Sequence, residues 1–196
     1  MTNKLRYGFA AMLSAIVLAA GMMSPPAVAQ DKAGWQPKWT EDGQLVLPGG
    51  YRKWVYLGSP LTPNGLNDGE AGFPEFHNVY IQPEAFAIYE ETGEFAEGTI
   101  LLKELQLVAE PQEDDGSRYE VSGRGYFPGA YNGIDIAVKD SSRFAESQNW
   151  GYFNFGHHAP PYAETAAAAP TSACAQCHID NADRDMVFTR FYRLLN

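Results

Sequence analysis

Sulfur ligands and positive charge are both scarce in this chain. Only two of its 196 residues are cysteine, at Cys174 and Cys177. A zinc ribbon needs a second ligand pair, and no other cysteine exists to supply one. Lysine and arginine number 14 against 24 acidic residues, which makes nucleic acid a poor partner and leaves an acidic exterior able to steer a basic protein toward it. No internal repeat is present. The apolar stretch Phe9 to Met23 is shorter than a bilayer-spanning helix requires. It follows Lys4 and Arg6 and precedes Pro25-Pro26 and Ala27-Val28-Ala29, the order of a cleavable signal peptide rather than a retained anchor. Cleavage is expected after Ala29. Residues 1–29 hold two of the basic residues and no acidic one, so their loss sharpens the acidity. The remaining residues 30–196 fit a single domain with its own core.

The cysteines stand in Cys174-Ala175-Gln176-Cys177-His178, the C-x-x-C-H spacing that attaches a c-type haem. Two thiols three residues apart can each add across a haem vinyl group, and the following imidazole then reaches the iron as axial ligand. A C-x-x-C disulfide beside an uninvolved histidine is the alternative for an exported chain. A thioredoxin-like site would need a βαβ context, whereas an Ala/Pro-rich loop, Pro160 to Ser172, precedes this motif. Haem attachment to C-x-x-C-H takes place outside the bacterial cytoplasm, so motif and leader agree on a periplasmic protein. Met186 is the one methionine after the motif. Eight residues are few for carrying its sulfur to the opposite haem face, and it reads as core packing.

Before the motif the pattern is mainly β. Residues 30–50, with Trp35 and Trp39, read as an extended arm that packs by its aromatics. Arg52 to Leu57 and Phe76 to Ile81 read as strands, and Pro83 opens a helix through Tyr89 that Gly93 can end in the left-handed conformation. Thr99 to Val108 is the clearest strand, its alternation putting Lys103 on one face with Leu101 and Leu105. Arg118 to Phe127, Gly133 to Val138 and Trp150 to Phe155 extend an antiparallel sheet, with Pro128-Gly129 between two of its strands. From Ala182 to Leu195 the spacing of Met186, Phe191 and Leu195 reads as a helical pattern. The fold expected is mainly β (α+β), an antiparallel sheet with a few helices packing one haem near the C-terminus.

The late haem motif behind a β-rich body, the tail Asp185 to Tyr192, and the runs His77-Asn78-Val79-Tyr80, Gly98 to Leu105, Arg143-Phe144 and Trp150 to Phe153 together resemble the cytochrome P-460 family, which includes the cytochromes c′-beta. The resemblance implies a homodimer whose haem has histidine on one side and an open site on the other. In the P-460 branch a lysine is joined to the porphyrin rim and the enzyme oxidises hydroxylamine toward nitrous oxide; Lys103 is the matching residue. In the c′-beta branch the cross-link is absent, phenylalanines cap the open face, and nitric oxide or carbon monoxide binds. Phe73, Phe76 and Phe86 are candidates for such a cap.

Read from the residues alone, an ammonium on a leucine face must be paired, modified or carried to water on its own stem, and a bulge would turn it to solvent. Proton removal from hydroxylamine calls for a carboxylate. Glu164, the one acidic residue between Trp150 and the haem motif, and Asp135, whose side chain opposes those of Ile134 and Ile136, are the candidates. Arg143 can pair with a haem propionate through its planar guanidinium. A soluble carrier such as a cytochrome c would take the electrons. His77, His157 or His158 as a sixth ligand would instead give a plain electron-transfer cytochrome.

Overall fold

Alternation in the middle of the sequence becomes a five-stranded antiparallel sheet in the computed structural model, which describes residues 34–196. The expected signal peptide lies outside the described residues. Among those residues no helix is long and apolar enough to cross a membrane. In chain order the elements are β1 (Leu45–Val46), β2 (Val55–Gly58), β3 (Phe76–Ile81), α1 (Pro83–Thr92), β4 (Ile100–Val108), β5 (Arg118–Glu120), β6 (Gly123–Gly125), β7 (Pro128–Lys139), β8 (Trp150–Asn154), β9 (Thr165–Ala166) and α2 (Cys174–Asn181). Strands pair in the order β2-β3-β4-β7-β8, while β1 pairs with β9 and β5 with β6. The architecture is the mainly β one expected.

Each sheet face buries its own cluster. One holds Leu57, Val79, Ile81, Leu101 and Tyr152 under α1, α2 and the C-terminal segment, with Tyr89, Ala175, Met186 and Leu195 packed in. The other holds Leu102, Ile134, Ile136, Val138 and Phe153 under the N-terminal arm and β9, with Trp39, Leu45 and Ala166. Both clusters alternate along β4, as a strand with two buried faces must.

Register decides which polar residues meet. Lys103 lies between Val79 on β3 and Asp135 on β7, and Asp135 faces Asn154 on β8. The irregularities between β4 and β7 fall beyond Leu105, so the bulge that would have turned Lys103 away does not intervene. Lys103 therefore shares the haem-motif face, while its neighbour Glu104, fully buried, belongs to the opposite face.

Several expectations need correction. Tyr51–Lys53 is a 3-10 turn and the strand begins at Val55. Arg118 to Phe127 is not one strand but a hairpin, turning at Val121-Ser122 just before Gly123, which takes φ 118°. Pro128 and Gly129 are the first residues of β7 rather than a separator, a place where proline's missing donor is tolerated. The largest difference is the tail: Ala182 to Leu195 is not a helix. Asp185 (φ 44°) and Met186 (φ 64°) are both left-handed, and Arg184 and Val187 close a two-residue turn with reciprocal backbone hydrogen bonds of 3.2 and 2.8 Å. The last residues then continue as short 3-10 turns.

Candidate functional site

Helix α2 positions the motif. Cys174, Cys177 and His178 recur at the three- and four-residue spacing that shares a helix face, and Ala175 on the inward side anchors the helix in the core. Both cysteines are free and exposed. Burial pushes the Cys174 thiol above its ordinary value, with the Asp135 charge adding to this and Lys103 opposing it. The helix itself packs on β8, next to β7 in the sheet.

His178 is held as a metal-ligating imidazole needs to be. Its Nδ1 donates to the Met186 carbonyl at 2.7 Å, leaving Nε2 with no hydrogen-bond partner among the described residues. Tyr152 and Phe188 flank the ring, with centroids 4.6 and 4.9 Å away. Burial lowers its pKa, against the Met186 hydrogen bond and together with the Lys103 charge. Two free thiols, one oriented imidazole and an aromatic cradle fit a haem attached through Cys174 and Cys177. The Met186 carbonyl was not visible to sequence reasoning, because a backbone group carries no residue signature. Met186 itself is core, as expected, at 5% exposure.

On the haem-motif face of the sheet, Lys103 Nζ sits 3.1 Å from Asp135 Oδ2, each side chain about a quarter exposed. It also stands 4.6 Å over the Phe73 ring. Asp135 accepts from Asn154 Nδ2 at 2.7 Å and faces His157 Nε2 at 3.4 Å. Burial raises the Asp135 carboxyl, but Lys103, Asn154 and His157 outweigh it and leave the group below its ordinary value. On the same strand face as Val79, His77 packs edge-on against Phe73 at 5.8 Å and has a buried Nε2 with no hydrogen-bond partner among the described residues. Burial, reinforced by Lys103, lowers its pKa to about 4, so it is neutral at pH 7. The structure thus gathers Cys174, His178, Lys103, Asp135, Phe73 and His77 on one side of the sheet.

Other candidates are elsewhere. Glu164 is exposed and adjoins β9, where its carbonyl accepts from Leu47 N at 2.9 Å, on the rim of the opposite cluster. It is not brought together with Lys103. Arg143 reaches Asp140 at 3.2 Å and stacks 4.4 Å over Trp39, while also lining an open cleft with Tyr152 and Ala175 beside the first turn of α2. His158 turns Nδ1 toward the adjacent Ala159 carbonyl at 2.7 Å. Among the proposed caps, Phe73 is at the site, Phe86 packs with α1 against the core, and Phe76 alternates to the other face of β3.

A comparison with protein families matches residues 48–189 to the model described as Cytochrome P460. No curated protein matches the chain.

Proposed function

This chain belongs to the cytochrome P460 family of haem proteins, and from that premise we propose that it is a periplasmic mono-haem c-type cytochrome that oxidises hydroxylamine. Cys174 and Cys177 would hold the haem by thioether bonds, His178 would ligate its iron through Nε2, and Lys103 would join the porphyrin rim. Bound there, the haem supplies an electrophilic site for a nitrogen ligand and a sink for its electrons. The Lys103–Asp135 pair on the haem-motif face carries the reading. A plain gas-binding pocket needs no ammonium beside a carboxylate.

Protons are the chain's share of the work. Converting two hydroxylamines to nitrous oxide and water releases four protons and four electrons, so a fixed acceptor beside the substrate is required. Asp135 is supported in that role by its position next to Lys103 and by Asn154 and His157, which orient its two oxygens. Glu164, exposed on the other side of the sheet, is the weaker candidate. Phe73 and neutral His77 stand beside Lys103 on the same face, one supplying an apolar ring and the other a nitrogen without a hydrogen-bond partner among the described residues. Family resemblance supports a homodimer. The acidic surface suits a basic, soluble electron acceptor.

The test begins with protein made alongside haem-maturation machinery. The tryptic peptide containing Lys103 should carry the haem together with the peptide that holds Cys174 and Cys177, and the Soret band should be strongly red-shifted. An unmodified Lys103 peptide, with haem held only by Cys174 and Cys177 and no hydroxylamine turnover, would instead select a nitric oxide- or carbon monoxide-binding protein of the c′-beta kind. A low-spin six-coordinate spectrum would select electron transfer.

A further inference from the structure

The turn that presents the Met186 carbonyl to His178 uses an unfavourable residue. Two central residues with positive φ are the province of Asn-Gly or Asp-Gly, yet here they are Asp185 and Met186. A left-handed aspartate is tolerated, but a left-handed methionine is disfavoured and needs external support. Two side chains supply that support at Asp185. Trp150 Nε1 donates to its Oδ1 at 3.1 Å, and Lys139 Nζ donates to Oδ2 at 2.6 Å. Trp150 is fully buried, and Lys139 is fixed further by the Phe95 carbonyl at 2.9 Å. Since Lys139 and Trp150 face each other across β7 and β8, the end of the sheet clamps the turn.

We infer that Asp185 is a positioning residue for the axial histidine: gripped by Trp150 and Lys139, it holds Met186 left-handed so that the Met186 carbonyl accepts from His178 Nδ1. This rests on the proposal that His178 ligates the iron. A short Nδ1–H···O=C bond gives the imidazole imidazolate character, making Nε2 a stronger donor that stabilises the oxidised metal. Nothing in this requires Asp185 to touch haem or substrate.

The experiment reads the iron–histidine stretching band of the reduced holoprotein by resonance Raman, together with its reduction potential. Asp185→Ala should move the band to lower frequency and the potential upward. Loss of a negative charge alone would also raise the potential, so two further proteins separate the causes. Asp185→Asn removes the charge but keeps left-handed tolerance and an acceptor for Trp150, so its band should stay near wild type and its potential should rise only by the effect of the lost charge. Lys139→Met combined with Trp150→Phe leaves Asp185 in place and removes a positive charge, which by electrostatics alone would lower the potential; release of the turn should raise it. Should Asp185→Ala fail to fold, Trp150→Phe alone should shift the band in the same direction. An unshifted band in Asp185→Ala, equal shifts in the Asn and Ala variants, or a lowered potential in the double variant would overturn the inference. Absence of any iron–histidine band in the wild type would overturn the ligand assignment as well.

Discussion

Replacing Asp135 by asparagine should lower hydroxylamine turnover by about two to four orders of magnitude, the range attributable to a lost general base, while leaving the haem attached. Asparagine preserves the size of the side chain and its contact with Asn154, so the sheet has no reason to rearrange. It removes the carboxylate charge, and with it the ability to take a proton. Glu164→Ala should retain full turnover in the same assay, run with a soluble electron acceptor. Because Asp135 also touches Lys103 at 3.1 Å, the Lys103 peptide of the Asn variant must be mapped: turnover lost with the haem–lysine bond intact assigns the effect to the missing base. Wild-type turnover in Asp135→Asn would end the assignment. A pH signature accompanies it. A carboxyl held below its ordinary value contributes stability that is present above about pH 4 and is lost as pH falls through the folded value, so acid unfolding of the Asn variant should lack that contribution.

Arg52→Ala should produce the largest loss of stability, about 2–4 kcal/mol, lowering the melting midpoint by about 5–15 °C for a domain of this size. Glu104 has no solvent exposure and accepts from Tyr51 Oη at 2.6 Å and from Arg52 Nε at 3.2 Å and Nη2 at 2.5 Å. Arg52 also lies 4.4 Å over the Tyr131 ring. Removing it leaves a buried carboxylate with one donor. The expected cost sits toward the low side of what breaking a buried pair entails, because half of the Arg52 side chain is already in water. Glu104→Gln should cost less, since no buried charge is stranded, and Arg52→Lys should rescue only in part because it loses the fork and the stacking. Thermal and urea unfolding of the holoproteins, with the haem spectrum as a second readout, checks this. The pair lies on the sheet face opposite the haem motif, so the native spectrum should not change. Equal midpoints for wild type and Arg52→Ala would refute it.

Much of this was readable in advance because it depends on short-range pattern. β3 and α1 fall where alternation, Pro83 and the left-handed Gly93 put them. Lys103 was legible as a charge among the leucines of one strand face, and Asp135 as a residue opposing Ile134 and Ile136. Their partnership was not, because cross-strand register depends on which strands pair, and the sheet order passes from β4 to β7 over the β5–β6 hairpin. Glu164 looked well placed from its proximity in sequence to the haem motif, but the loop that carries it pairs with β1 on the far side of the sheet. The tail misled for a different reason. Met186, Phe191 and Leu195 have helix-like spacing, yet Asp183 accepts from Thr189 Oγ1 at 2.7 Å and Arg190 N at 3.0 Å, and the left-handed pair at 185 and 186 ends any helix. A methionine in that conformation contradicts local preference, and only its tertiary partners account for it.

Two consecutive charged residues of opposite sign, Lys103 and Glu104, are separated by the thickness of one strand. An exhaustive substitution scan should accordingly give them unlike profiles. Changes at 103 should deplete active clones without depleting folded ones, whereas changes at 104 should do both together. Deletion of a single residue from the stretch of β4 that precedes them should invert their sides. The carboxylate would then face Asp135, and the ammonium would take the buried place of Leu102 beside Ile136 and Tyr80. No one-step substitution restores both, so in an alignment of viable descendants this stretch should vary in composition but never in length.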